Sequence, residues 1–266
     1  MLFMGRGQRG KEEPQQPRLG VISAAGQGPR LTGIAGGVPK GFLRVGGRPL
    51  VHWSIQKLLA VGVERVVIIT GHGAEAYENM AEKWTSMQTV KNPEYAESGS
   101  MYSLYCARDK IEGTFLLLES DLLYEMRALE VLLETPQPNA VLLSGFTDLG
   151  DARYVEAKGD RLHRIWQGEA EGAGADGQLV GICKISPRLF GAMLAHATSF
   201  FREGYHYLDY EDCIGRIANE TEVHFCKVDD LLWAKVDTDE RFHRVTQRVF
   251  PQIWAKDGGP PESSPA

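Results

Sequence analysis

The sequence LGVISAAGQGPR, residues 19–30, joins an apolar run of strand length directly to a glycine-rich loop. A second glycine-rich stretch, residues 33–37, follows it and leads to Pro39 and Lys40. Small residues allow backbone N–H groups to approach a phosphate closely, and Arg30 and Lys40 add positive charge that backbone dipoles lack. The segment therefore predicts a buried strand that ends in a phosphate-binding loop with two cations.

Three other interpretations of this glycine-rich segment compete with that one. A dinucleotide-binding fingerprint requires a glycine where Leu31 stands and an acidic residue at the end of the second strand, where the chain has Thr70. A P-loop match at residues 5–11 has no preceding strand, and Glu12 replaces the serine or threonine. The remaining alternative is an ordinary glycine-rich connection without a ligand.

Downstream of the loop, apolar runs of strand length alternate with amphipathic segments of helix length. The pattern predicts strands at residues 63–70, 114–119 and 140–146 and helices at residues 50–60, 74–84, 101–108 and 127–133. Alternation of this kind predicts a mostly parallel sheet with helices on both faces. Shorter strands at residues 153–157, 161–166 and 179–185 predict a β-rich extension, and a final helix, strand and helix are expected at residues 211–218, 222–228 and 240–250.

The two ends of the chain differ in composition from its middle. Residues 1–18 are rich in glycine, glutamine, arginine and proline, and residues 252–266 are rich in proline, serine and glycine. Segments of this composition bury too little apolar area to offset their ordering entropy. We therefore expect two disordered tails around a single domain at residues 19–251.

Composition and charge restrict the class of protein. The 266 residues suffice for one large α/β domain, and the formal net charge of −6 argues against broad nucleic-acid binding. The four cysteines form no CxxC pair, which favours a reduced cytosolic protein over a disulfide-linked or zinc-bound one. The sequence has no long apolar run and no signal-peptide core, so we expect a cytoplasmic protein that does not contact a membrane.

Two aspartates are candidate ligands for Mg²⁺. Asp121 follows the predicted strand 114–119, at the edge where open α/β sheets bind ligands. Asp237 follows a second apolar stretch, and its alternative role is to cap the helix that begins near Thr238. Magnesium typically takes one or two carboxylates from a protein, while phosphate oxygens and waters complete its shell.

These motifs together resemble the MobA-like nucleotidyltransferases. The resemblance covers residues 19–251 and rests on SAAGQGPR, PKGFLRVGGRPLVHWSIQKLLAVGVERVVIITGH, SGSMYSLYCARDKI, LLLESDLLYE, LVGICKIS and VDDLLWAKVDT. SGSMYSLY and LESDLLYE are similar to the cytidylyltransferases that act on phosphonates such as 2-aminoethylphosphonate, and to their phosphocholine relatives. The resemblance implies a three-layer, mostly parallel Rossmann-like sheet of the GT-A-like type, with a small β-rich extension that binds the acceptor.

The resemblance also implies roles for the matching residues. Arg30 and Lys40 become the catalytic pair that binds the triphosphate and stabilises its charge, and Asp121 and Asp237 become the Mg²⁺ ligands. Nucleotide contacts are implied for Asp121 and for Ala24, Ala25, Gly26, Gly28, Ser98, Gly99 and Ser100.

Lys235 departs from the pattern of the family, because many relatives have an acidic residue two positions before the second metal aspartate. Side chains on a strand repeat every second residue, so Lys235 is expected on the same face as Asp237. It either adds a cation near the phosphates or weakens metal binding.

Aromatic and acidic side chains are candidates for the acceptor site. Residues 206–212, with Tyr210 and Glu211, combine aromatic faces with carboxylates and so suit an ammonium group. Asp148, Asp151 and Tyr154 form a second candidate patch. The alternative is a solvated loop, which in the first case caps the helix that follows.

The function implied by the resemblance is transfer of CMP from CTP to a small phosphonate, with release of pyrophosphate. A phosphonate oxygen is already ionised near neutral pH, so the attack on the α-phosphorus needs no general base. The alternatives are a phosphocholine or sugar-1-phosphate nucleotidyltransferase and a catalytically silent nucleotide-binding regulatory domain. The expected partners are CTP and the acceptor, with neither nucleic acid nor membrane; a homodimer is left open.

Overall fold

The structure, a computed structural model, describes residues 16–28, 30, 31, 33, 37–147, 152–168 and 174–259. The strands are β1 (Leu19–Ala24), β2 (Arg44–Val45), β3 (Arg48–Pro49), β4 (Arg65–Thr70), β5 (Met87–Lys91), β6 (Phe115–Glu119), β7 (Leu122–Tyr124), β8 (Ala140–Ser144), β9 (Arg153–Lys158), β10 (Arg161–Gln167), β11 (Gly177–Ile185), β12 (His224–Val228) and β13 (Trp233–Lys235). The α-helices are α1 (Leu50–Ala60), α2 (Ala74–Ala81), α3 (Ser100–Ala107), α4 (Arg127–Glu134), α5 (Pro187–Arg202), α6 (Tyr210–Ile217), α7 (Asp239–Arg244) and α8 (Phe250–Asp257). A π-helical segment, Val245–Val249, joins α7 to α8.

Nine of the described strands form one sheet, in the order β5-β4-β1-β6-β11-β8-β12-β10-β9. Strands β5, β4, β1 and β6 pair in parallel, and so do β8 and β12. Strand β11 is antiparallel to both of its neighbours, β6 and β8, which therefore run in the same direction. This mostly parallel α/β sheet confirms the predicted fold class.

Helices cover both faces of the sheet because its inner strands are apolar on both sides. In β6, Phe115 and Leu117 face one core cluster, while Leu116 and Leu118 face the other. Helices α3, α5 and α6 pack in the first cluster, and α1, α2 and α4 pack in the second. The result is three layers, as expected for strands without a polar face.

Strand β11 does not belong to a peripheral extension, so that prediction for residues 179–185 is wrong. All of its residues are buried, because it lies in the middle of the sheet. Its pairing with β8 shifts register between Leu179 and Cys183, and Gly181 between them has a φ of 90°. Strands β9 and β10 do form an antiparallel edge of the sheet, next to β12.

The periodicity of the sequence does not predict helix α5, although the sequence encodes its start. The Ser186 side chain accepts a hydrogen bond from the Leu189 amide at 3.2 Å, and Pro187 occupies the first turn. Strand β5 and the β2–β3 hairpin are also absent from the prediction. Helix α5 packs in the same cluster as α6 and supports it beside the sheet.

The C-terminal tail begins later than predicted, because helix α8 continues to Asp257. Ile253 is buried in the third core cluster, and the Asp257 carboxylate accepts a hydrogen bond from the Met126 amide at 3.0 Å and pairs with Lys57. Most of the two expected tails, residues 1–15 and 260–266, lies outside the described residues. Within the described parts of the chain, no helix has the length and hydrophobicity that a membrane crossing requires.

Asp257→Ala is expected to lower the free energy of unfolding by about 3 kcal/mol, because it leaves the Lys57 ammonium buried without its partner. The Lys57 side chain is only 8% exposed. Asp109→Ala is the control, since it removes an exposed pair with Arg108 and should change stability little. Urea denaturation of both variants tests this; equal effects would contradict the anchoring role of Asp257.

Candidate active site

A cavity of about 380 Å³ opens at the carboxyl ends of β1 and β6. Its described lining includes the cations Arg30, Lys40, Arg153, Lys235 and Arg241 and the carboxylates Glu119, Asp121, Asp209, Glu211 and Asp237. Ligands bind at this edge in open α/β sheets. The charged lining and the position together identify the cavity as the candidate active site.

Two backbone hydrogen bonds bring three distant segments to this edge. The Ser120 amide donates to the Ser23 carbonyl at 3.0 Å, and the Val236 amide donates to the Asp121 carbonyl at 2.8 Å. Strand β13 also pairs with β7, which places Lys235 opposite Leu122. The segments that carry Asp121 and Asp237 therefore lie side by side.

Lys40 and Asp121 form an ion pair in the cavity. The Lys40 Nζ lies 2.7 Å from Asp121 Oδ2, and only 4% of the Asp121 side chain is exposed. Burial alone would raise the pKa of Asp121, but the ammonium groups of Lys40 and Lys235 outweigh burial and lower that pKa. Asp121 is therefore an ionised carboxylate at neutral pH.

Both carboxylate oxygens of Asp237 are bound by arginines. Arg241 Nη1 donates to Oδ1 at 2.7 Å and to Oδ2 at 2.9 Å, and Arg30 Nη2 donates to Oδ2 at 2.7 Å. The helix cap is Thr238, whose hydroxyl accepts from the Arg241 amide, so Asp237 does not act as the cap. Arg241 was not among the predicted residues; its position four residues after Asp237 at a helix start is the signal for it.

The phosphate loop is closely packed against Lys40. Gly28 has a φ of 64°, and a β-carbon at this position would lie 2.7 Å from Lys40 Cγ. Ala25 and Gly26 line the cavity, but Ala24 and Gly28 are not among its described lining residues. The Ala24 side chain lies in the core because residues of a strand alternate between its faces, so a nucleotide contact of Ala24 would come from its backbone.

Residues 98–100 line the cavity at the start of α3. The Gly99 amide donates to the His206 carbonyl at 2.7 Å, and the Ser100 amide donates to Asp209 Oδ1 at 3.2 Å. A β-carbon on Gly99 would lie 2.3 Å from the Leu208 carbonyl oxygen. This glycine therefore permits the loop before α6 to lie against α3 and close that side of the cavity.

The structure places only some of the predicted acceptor residues in the cavity. Tyr210 and Glu211 line the cavity, while Asp148 and Asp151 lie outside the described residues. The prediction for Tyr154 is wrong, since this side chain is buried in the core. Because β9 alternates its side chains, Arg153 takes the cavity face instead, where it was not predicted.

Two carboxylates, Glu119 and Glu211, lie close together in the cavity. The part of the cavity formed by these two residues, Tyr210 and Lys235 is called the far end. Tyr210 Oη donates to Glu119 Oε1 at 3.4 Å, and Lys235 pairs with the other oxygen of Glu119. Arg153 Nε lies 3.5 Å from Glu211 Oε1. Glu119 was not predicted as a site residue; its signal is its position two residues before Asp121, on the same face of the chain.

Burial, followed by the charge of Glu119, raises the pKa of Glu211 to about 8. Asp209 acts in the same direction, while Arg153 and Lys235 oppose it. Glu211 therefore carries a proton through much of the neutral range. A cationic group placed beside it would favour the ionised form.

The donors at Asp121 and Asp237 fit a hard divalent cation, since both are carboxylates and both face the cavity. Among the described residues no group of three His, Cys, Asp or Glu side chains is arranged to hold a metal. Two carboxylates are nevertheless enough for Mg²⁺ when a bound nucleotide supplies phosphate oxygens.

Residues 20–151 match the family described as MobA-like NTP transferase domain. The chain is thus similar to MobA-like NTP transferases over this segment. It is 28% identical over 235 residues to the "Bifunctional IPC transferase and DIPP synthase" of Thermococcus kodakarensis, covering 88% of this chain and 51% of that protein. It is 33% identical over 103 residues to the "2-aminoethylphosphonate cytidylyltransferase" of Lancefieldella rimae, covering 38% of this chain and 42% of that protein.

The chain thus spans about half the length of the Thermococcus protein and less than half the length of the Lancefieldella protein. Its fold is similar to that of the inositol-1-phosphate CTP transferase from T. maritima, with a TM-score of 0.77 and 21% identity over 91% of this chain and 98% of that one. This likeness confirms the nucleotidyltransferase fold. The family match confirms the resemblance seen in the sequence.

The matched MobA-like region contains only part of the cavity. Arg30, Lys40 and Asp121 fall inside residues 20–151. Glu119 also falls inside this region. Tyr210, Glu211, Lys235 and Asp237 lie beyond it. The family match therefore covers the phosphate loop and first carboxylate, and the C-terminal segments complete the cavity.

Glu211→Gln is expected to flatten the dependence of stability on pH. The raised pKa means that the native state keeps a proton that the unfolded state releases, so wild-type stability falls as pH rises from 4.5 to about 8. Glutamine has no such proton, so the free energy of unfolding of the variant should rise relative to that of wild type as the pH increases over this interval. Urea denaturation between about pH 5 and about pH 8 measures it, with exposed Glu220→Gln as control. Parallel slopes in wild type and Glu211→Gln would refute this assignment.

Proposed function

We propose that this protein is a nucleotidyltransferase that transfers CMP from CTP to the oxyanion of a small phosphonate and releases pyrophosphate. One observation carries this proposal: two ion pairs, Lys40 with Asp121 and Arg30 with Asp237, lie in the same cavity next to a glycine-rich loop. The MobA-like match over the same loop supports it.

The cations of the loop suit a triphosphate. Arg30 and Lys40 both reach the cavity from the segment that follows β1, and Arg241 adds a third positive charge through Asp237. Phosphoryl transfer depends mainly on positioning the groups and stabilising charge on the transferred phosphorus and the leaving group. Preorganised cations at this edge supply both.

Asp121 and Asp237 are the residues that would hold Mg²⁺ together with phosphate oxygens of the nucleotide. Such an ion neutralises charge on the transferring group when it is bound. The same carboxylates bind Lys40, Arg30 and Arg241. These ion pairs hold the three cations at the cavity.

The far end of the cavity suits an acceptor with an amine. Glu119 and Glu211 lie close together there, and Tyr210 presents its hydroxyl to Glu119. An ammonium group would favour the ionised form of Glu211, which burial and the charge of Glu119 oppose. This arrangement and the Lancefieldella relative favour a 2-aminoalkylphosphonate, such as 2-aminoethylphosphonate, as acceptor.

A second candidate acceptor is a polyol phosphate. The Thermococcus relative, which aligns over 88% of the chain, carries an IPC transferase, and the similar T. maritima structure is an inositol-1-phosphate CTP transferase. Gln167 and Gln178 also line the cavity, and glutamine side chains can bind hydroxyl groups, although Gln178 Oε1 already accepts from Thr147. This candidate keeps the nucleotide chemistry and changes only the acceptor.

Pyrophosphate release measured with each of the four NTPs and a panel of acceptors tests the proposal. The panel contains 2-aminoethylphosphonate, phosphocholine, inositol 1-phosphate and glucose 1-phosphate. We expect the highest rate with CTP and 2-aminoethylphosphonate, because this acceptor combines an oxyanion with an ammonium group. A preference for inositol 1-phosphate would select the polyol alternative, and no release with any pair would reject the proposed function.

Lys40→Ala is expected to lower the turnover number by about a hundredfold or more, because it removes a preorganised charge from the transferring group. Lys40 begins the short 3-10 helix Lys40–Phe42, and its loss leaves the buried Asp121 without this partner, so a lower melting temperature is also expected and turnover is measured well below it. Lys110→Ala, at an exposed position away from the cavity, is the matched control. If Lys40→Ala acts mainly by unfolding the protein, Lys40 is structural.

A further inference from the structure

Lys235 lies in the cavity with its ammonium group on Glu119. A third of its side chain is still exposed, compared with 16% of the Glu119 side chain. The cation is therefore held by its partner and at the same time accessible from the cavity.

The position of Lys235 assigns it to the far end of the cavity and not to the phosphate loop. Its partner Glu119 ends β6 and is contacted by Tyr210 of α6, and Gly181 of β11 lies close to the same carboxylate. Strand β11 borders β6 on one side, whereas β1, which leads to Arg30 and Lys40, borders it on the other. Lys235 therefore belongs to the β11 side.

Lys235 is also electrostatically close to Asp121. The backbone amide of the next residue, Val236, donates to the Asp121 carbonyl at 2.8 Å. The Lys235 ammonium group pairs with Glu119, which ends β6 two residues before Asp121. Asp121 thus lies between a cation from the phosphate loop, Lys40, and a cation from β13.

An anionic acceptor meets carboxylates at this end of the cavity. Glu119 and Asp209 carry negative charge there, and Glu211 gains it when it ionises. A phosphonate or phosphate group that enters this space requires a cation beside it, because like charges in a partly buried site repel strongly. Arg153 is bound by Asp209, Glu211 and Asp212, whereas Lys235 pairs with Glu119 and precedes Val236, whose amide binds the Asp121 carbonyl.

We propose that Lys235 binds the phosphonate or phosphate oxyanion of the acceptor and places it beside Asp121 for attack on the α-phosphorus. This inference rests on the proposed function. An acceptor oxygen forms the new bond to the α-phosphorus while the bond from that phosphorus to the β-phosphate oxygen breaks, and the electron pair leaves with pyrophosphate. No proton has to move in this step, because the attacking oxygen is already ionised.

Steady-state kinetics of Lys235→Met and Lys235→Arg separate acceptor binding from nucleotide binding. We expect Lys235→Met to raise the KM for 2-aminoethylphosphonate by about tenfold or more, because a hydrogen bond to a charged group is lost. The KM for CTP should be unchanged, and Lys235→Arg should lie between wild type and Lys235→Met, since it keeps the charge. An increase in the KM for CTP alone, or no change in either constant, would overturn the inference.

Lys256→Met is the matched control. Lys256 also pairs with a buried glutamate, Glu125, at 2.7 Å, and its side chain is 40% exposed. It is not among the described residues that line the cavity. Loss of this ion pair should leave both KM values unchanged.

Calorimetric binding of inorganic phosphate to the full chain separates this inference from the proposed function, because it needs no turnover. Phosphate has no ammonium group for Glu119 to contact. Lys235→Met should weaken phosphate binding even if wild type fails to release pyrophosphate with any acceptor of the panel, a result that would reject the function alone. Unchanged phosphate binding would reject the role of Lys235.

The double variant Lys235→Met/Glu119→Gln tests whether Lys235 serves only to compensate Glu119. It removes both charges together, so no buried carboxylate is left unpaired and the fold is protected. We expect phosphate binding to stay weak in the double variant. Recovery of wild-type phosphate affinity would show that Lys235 compensates Glu119 and would overturn the inference.

Discussion

The site depends on two backbone hydrogen bonds at the carboxyl edge of the sheet. The Ser120 amide binds the Ser23 carbonyl and the Val236 amide binds the Asp121 carbonyl. Together they fix the segment after β6 against the strand that leads to the phosphate loop and against the segment that carries Asp237. The charged side chains can meet only because these three stretches, far apart in the chain, are held in register by main-chain contacts that tolerate many side chains.

The cations and carboxylates of the cavity form ion pairs with one another. A buried charge without a partner is costly, and each deeply placed carboxylate here has one, as Asp121 has Lys40 and Asp237 has Arg241. Such pairing stabilises the folded protein and keeps the side chains oriented toward the cavity. A nucleotide or acceptor can then exchange partners with preorganised groups at little cost in reorganisation.

The antiparallel strand β11 borders the far end of the cavity. It lies between β6 and β8, and its glycine with positive φ, Gly181, brings the backbone close to Glu119. The β1 side carries the phosphate loop within the matched MobA-like region, and the other side is built mainly by residues beyond it.

The sequence by itself determines the strand and loop at residues 19–30, the presence of helices on both faces of the sheet, and the position of Asp121 after β6. These features follow from local periodicity and from the order of residues along one segment. Only the tertiary structure decides that β11 lies inside the sheet, that Arg153 and not Tyr154 faces the cavity, and that Lys235 meets Glu119. These features depend on which distant segments become neighbours and on which face of a strand a side chain occupies. Local pattern does not specify either, because strand pairing is set by contacts between residues far apart in the chain.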